Sequence, residues 1–104
     1  MGKTEKRELV SRLTVLLLYL LKWRFQPKGH GNSWRLSAAN ARDEIADLIA
    51  DNPSLKSMLD DLTEQAYRYA RRKPAIETSL GEERFPGQCA WWFAEAMDED
   101  FLPE

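Results

Sequence analysis

A chain of 104 residues with 43% hydrophobic and 31% charged residues has the composition of one folded domain, which excludes disorder over most of its length and leaves no room for a second domain. Its single cysteine, Cys89, excludes an internal disulfide and a cysteine metal cage and suits a reducing compartment, here read as the cytoplasm. The net charge of −2 conceals an asymmetry: residues 1–30 carry seven basic and two acidic groups, a balance of +5, and the remainder eight basic and fifteen acidic, a balance of −7.

The stretch Leu9 to Phe25 is apolar nearly all the way round when read as a helix. Leu9, Leu13, Leu16, Leu17 and Leu20 share one face, and Val10, Val15, Leu18, Leu21 and Phe25 spread over the rest. Such a helix needs cover from several directions. Lipid is not the cover, because the uncharged run Leu13–Leu21 is nine residues long against the ~20 needed to span a bilayer. A secretory signal fails as well, since Lys22-Trp23-Arg24 stands where small residues should mark the cleavage site. The helix is expected to start with Thr4 as its cap and to stop before Pro27, which can neither donate to the helical ladder nor leave Gln26 in helical geometry.

The breaker-rich connection Gln26-Pro-Lys-Gly-His-Gly-Asn32 is long enough to join two antiparallel helices. A second helix is expected over Trp34–Asp51 with Ser33 as cap. Trp34, Ala38, Ala41, Ile45 and Leu48 recur at helical spacing, with Ile49 widening the stripe and Arg35, Arg42, Asp43, Glu44 and Asp47 mostly off it. The small residues Ala38, Ala39 and Ala41 would allow close approach to the first helix. Asn52-Pro53 then reads as the cap and first position of a third helix. That helix carries Leu55, Met58, Leu59, Leu62, Ala66, Tyr69 and Ala70 and reaches at least Arg72, with a kink at Pro74 and helical character again over Ala75–Leu80. Arg68, Arg71, Arg72 and Lys73 crowd its last turns, where the helix dipole favours positive charge.

After Gly81 the texture changes. Phe85-Pro-Gly-Gln-Cys-Ala is extended or turned, Trp91–Met97 forms a short fourth helix, and Asp98–Glu104 is an acidic tail containing Phe101 and Leu102. Phe85, Trp91, Trp92, Phe93 and Phe101 are too many large apolar groups for a free tail and are expected to fold back as a lid. Strand signals are weak and no internal repeat is visible.

Several segments, taken in order, are similar to the domain-of-unknown-function 29 family, small helical proteins found mainly in bacteria. They are Lys6-Arg-Glu-Leu9, Leu20-Leu-Lys-Trp23 with Gln26-Pro27, Ser33-Trp34, Ile45, Pro53-Ser-Leu55, Phe85-Pro86 with Cys89, and Asp98 with Phe101-Leu-Pro-Glu104. The resemblance implies a helical fold without an assigned activity, so it supplies no catalytic residues. It also implies an additional N-terminal helical segment, acidic and apolar, that has no counterpart in this sequence, which either lacks it or is a piece of a longer chain. Without that segment an apolar and basic strip of the first helix would stay uncovered and self-associate.

The chemistry-bearing residues make a weak case for catalysis. His30, the one histidine, lies between two glycines with no nucleophile motif nearby and reads as a loop residue. The Gly-x-Gly around it lacks the preceding strand and third glycine of a phosphate cradle. Glu44, Asp47 and Asp51, and Asp60, Asp61 and Glu64, could hold a metal only with the Glu-x-x-His pattern that is absent here, and read as solvated faces. Cys89 has only Arg84 nearby to activate it and reads as a small buried group. Trp23 and Trp34 flank the first connection and are expected to pack together. Their alternative role is to stack nucleic-acid bases beside Arg24, Lys28 and Arg35. A helix-turn-helix reader is disfavoured by the length of the turn.

The sequence thus predicts one all-α domain over residues 1–104, a bundle of three long helices plus a short C-terminal helix and an irregular lid. It predicts no enzyme, no cofactor, no metal and no membrane partner. The expected role is protein–protein interaction, with a second copy or another protein as partner, through a surface drawn from Lys6, Val10, Trp23, Arg24, Lys28, Trp34 and Arg35. The alternative is a nucleic-acid partner held by the basic first helix and the Arg24, Lys28 and Arg35 corner.

Overall fold

A run of leucines with no helix breaker inside it forms the first and longest helix, α1, over Lys3–Phe25 of the computed structural model, which describes residues 3–25, 32–72 and 93–98. Then follow α2 (Asn32–Asp51), a 3-10 helix (Pro53–Met58), α3 (Leu59–Ala70) and the short α4 (Phe93–Met97). All regular structure among the described residues is helical, in the all-α bundle that the hydrophobic spacing predicts.

The bundle is built on α1. Leu9, Leu13, Leu16, Leu17, Leu20 and Leu21 are buried to about the last atom, and Val10 and Leu18 nearly so, each fully buried side chain contributing about 1.5–3 kcal/mol of transfer free energy. α2 and α3 both pack along α1, whereas they share little or no direct contact with each other among the described residues. α4 touches α1 and α3, and Ala96, fully buried, brings it into the core. α1 is therefore covered from three sides, but not all round. Glu8, Ser11 and Val15 form an outward line, and Val15 keeps 38% of its surface exposed. Thr14 sits in the buried arc because its hydroxyl donates to the Val10 carbonyl at 2.7 Å, which removes the cost of burying an unpaired polar group.

α2 buries the predicted stripe of Ala38, Ala41 and Ile45, with Leu48 and Ile49 half-buried beside it. Two of its residues correct the sequence reading. Ala39 faces solvent and takes no part in the close approach. Arg42, expected off the stripe, is only 5% exposed: its Nε donates to the Ala96 carbonyl of α4 at 2.8 Å. The guanidinium reaches the end of a helix whose last carbonyls have no partner of their own.

The boundaries moved for identifiable reasons. Thr4 lies inside α1, which begins at Lys3, and is not its cap. α2 includes Asn32 and Ser33. Asn52 stands at the N-cap position of the helix after it, as expected, but its side chain makes no capping bond there. Its side-chain amide donates to the Leu48 carbonyl at 3.0 Å, and its backbone N–H reaches Leu48 and Ile49 carbonyls at 3.0 and 3.1 Å. It thus closes α2, while its own carbonyl accepts from Leu55 N–H at 3.0 Å to start the 3-10 turn. Pro53 occupies the first turn of that helix, as predicted. Met58 (φ −129°, ψ 19°) then breaks the geometry, so one predicted helix becomes a 3-10 segment and an α-helix.

Tyr69, predicted to face the core, is 48% exposed, and Tyr67, which the spacing argument passed over, is buried. Thr63 and Tyr67 belong to the inner face because Thr63 bonds the Leu59 carbonyl at 2.7 Å, which lets the buried arc of α3 swing past the Leu62–Ala66–Ala70 line. The Pro74 kink, the helical reading of Ala75–Leu80 and most of the lid (Phe85, Trp91, Trp92, Phe101) lie outside the described residues. Of the lid, Phe93 packs half-buried against the core, and Met97 of the same short helix packs beside it.

Candidate functional site

Of the seven residues that the sequence nominates for an interaction surface, the four on α1 fall at its opposite ends, and Trp34 and Arg35 stand at the start of α2. Lys6 and Val10 belong to the first turns of α1, and Trp23 and Arg24 to its last. At 1.5 Å per residue, Lys6 and Trp23 are ~25 Å apart along the axis. They form two surfaces, not one.

At the far end, α1 and α2 meet as antiparallel neighbours and exchange cation–ring contacts. The Arg35 guanidinium of α2 lies over the Trp23 ring of α1 at 5.7 Å, and Lys22 Nζ of α1 lies over the Trp34 ring of α2 at 5.8 Å and over Tyr19 at 5.3 Å. Trp23 and Trp34 are half-buried and Arg35 is exposed. Each such contact is worth about 0.5–1 kcal/mol at an exposed position. Lys22 and Arg35 thus lie over rings of the pair and help to join α1 to α2. Arg24 lies in the last turn of α1. Lys28, His30 and Cys89 lie outside the described residues.

The near end is open. α1 contributes Lys6, Arg7, Val10, Ser11, Thr14 and Val15, and α3 contributes Leu62, Gln65 and Tyr69, to a groove of about 840 Å³ between the two helices. Val10, Thr14 and Leu62 form its floor and are buried. Val15 and Tyr69 are two of the three large hydrophobic side chains left exposed among the described residues, and both stand at the groove. Lys6 and Arg7 are exposed at its other end, and no acidic side chain is among its described lining. The groove is thus basic at one end and apolar at the other. The sequence signal for it was Val15, an apolar residue off the leucine face. Tyr69 gave none, because helical spacing alone placed it inside.

Glu5 and Glu8 flank the two cations on α1, and the acidic groups of the other helices lie elsewhere. Glu44, Asp47, Asp51, Asp60, Asp61 and Glu64 are all exposed. Glu44 pairs with Arg12, which also lies 3.7 Å from Glu8, and Asp60 accepts from Phe93 N–H at 3.4 Å. Among the described residues no three histidine, cysteine or carboxylate groups come together as metal ligands. No helix among them is long and apolar enough to cross a membrane.

Compared with known proteins, the chain matches a family model described as "Domain of unknown function DUF29" over residues 1–102. No curated protein and no solved structure matches it.

Proposed function

Because the chain belongs to the DUF29 family, whose description assigns no activity, function must be read from the surface: we propose a non-enzymatic protein-interaction module that docks a second copy of itself in the α1–α3 groove. The observation that carries this reading is the pairing of exposed Val15 and Tyr69 over a buried apolar floor. A solvent-facing apolar groove of this kind is stabilised by association. The charge layout supports the choice of a second copy: residues 1–30 carry +5 and the remainder −7, so one chain offers both signs to another, and opposite potentials draw surfaces together. The lone cysteine supports a reducing compartment, in keeping with a cytoplasmic module.

Of the Arg24, Lys28 and Arg35 corner that the nucleic-acid alternative draws on, Arg35 lies over the Trp23 ring. Light scattering of the full chain at micromolar concentration tests the main reading. A mass above one protomer, reduced to one by Val15→Glu, is the expected result, and a wild-type monomer refutes it.

A further inference from the structure

We propose that the occupant of the α1–α3 groove is the acidic C-terminal segment of a second copy, residues 99–104, an inference that deepens the interaction reading above and rests on it. The order of chemistry along the two surfaces agrees. From Lys6 and Arg7 the groove runs ~13 Å along α1 to Val15, changing from basic to apolar. The segment after Asp98 reads Glu99-Asp100-Phe101-Leu102-Pro103-Glu104, changing from acidic to apolar over its first five residues in the same direction and closing on Glu104. With Glu99 and Asp100 against Lys6 and Arg7, an extended chain at ~3.3 Å per residue carries Phe101 and Leu102 ~7–10 Å onward, onto the stretch bounded by Val10, Leu62 and Tyr69. These tail residues lie outside the described ones and enter by their sequence alone.

Reach decides which copy donates the tail. α4 is tethered through Phe93 N–H to Asp60 of α3 and through the Ala96 carbonyl to Arg42 of α2. Asp60 and Tyr69 are nine residues apart, which at ~100° per residue places them on opposite sides of α3. A tail leaving Asp98, two residues beyond the Ala96 carbonyl that Arg42 of α2 holds, would have to pass at least around half of α3, a helix ~10–12 Å across, before entering its own groove from that side. Six residues extend at most ~20 Å, which spans that detour and leaves nothing to lie in the groove. A neighbouring molecule has no such constraint.

Charge reversal on the full chain tests this. One variant carries Lys6→Glu and Arg7→Glu, the other Glu99→Lys and Asp100→Lys, and association is followed by analytical ultracentrifugation. The expected result is that the wild type self-associates, each variant alone dissociates at least ~tenfold more readily, and an equimolar mixture of the two recovers the wild-type assembly, because every groove then meets a tail of opposite sign. Circular dichroism verifies that both variants fold. If the tail variant misfolds, a labelled peptide of residues 98–104 titrated into the groove variant and the wild type gives the same comparison, with binding expected to the wild type alone. If the tail variant associates like the wild type while Val15→Glu disperses it, the tail proposal is overturned and the groove reading survives. A mixture that stays dispersed also overturns the tail proposal, and a wild type that is monomeric removes both.

Discussion

Arg42 shows how much one side chain can carry in a chain of this size. It is a buried charge on α2 whose Nε bond to the Ala96 carbonyl reaches a segment 54 residues away in sequence. Hydrogen bonds from charged donors contribute more than neutral ones, and losing this one strands a carbonyl in the core. Arg42→Ala is expected to lower stability by about 2–3 kcal/mol in urea unfolding. Arg42→Lys should recover only part of that, because an ammonium cannot reproduce the planar fork. Arg35→Ala, which removes an exposed cation from Trp23, is expected to cost no more than about 1 kcal/mol in the same measurement. Both arginines look alike in the sequence. What separates them is α4, whose docking position no periodicity on α2 could announce.

At the scale of elements, the leucine spacing of α1 and the alanine–isoleucine stripe of α2 were legible because a buried face imposes its period on every residue along it. Ala38 lies on that stripe, buried against the core, so Ala38→Leu should overpack it at a cost of about 1–3 kcal/mol, seen as a lowered midpoint in thermal unfolding. Ala39→Leu, on the solvent side, should leave the midpoint nearly unchanged. The junction at Asn52 was read rightly in position and not in its side-chain bond, because asparagine serves either neighbour and only tertiary placement decides which. Since its amide closes α2, Asn52→Ala is expected to fray the last turn around Leu48 and Ile49, with faster amide exchange there, and to leave the start of α3 protected. The break at Met58 was hidden for a related reason: Leu55, Met58, Leu59 and Leu62 keep helical spacing across it, although the backbone does not.

For the whole molecule, the groove was half visible from sequence, as a basic and apolar strip on the first helix. Its other wall could not be foreseen, because the exposure of Tyr69 follows from the way α3 rolls Thr63 and Tyr67 inward. Retention on immobilised DNA or RNA addresses the whole surface charge: none is expected even at low salt, where phosphate contacts are strongest. The arrangement of α2 and α3 on either flank of α1, with little or no contact between them, has a kinetic corollary. Among the described residues the flanks are joined through the 3-10 helix and α4. Detachment of α3 is thus expected to take α4 with it, at the loss of the Arg42 bond, and to leave the antiparallel pair of α1 and α2, whose pairing is the more local in sequence and the quicker to form. Native-state hydrogen exchange should therefore resolve two cooperative units, with amides of α3 released at a lower free energy than those in the middle of α1. Mild denaturant would then produce a species that has shed one arm and kept its hairpin.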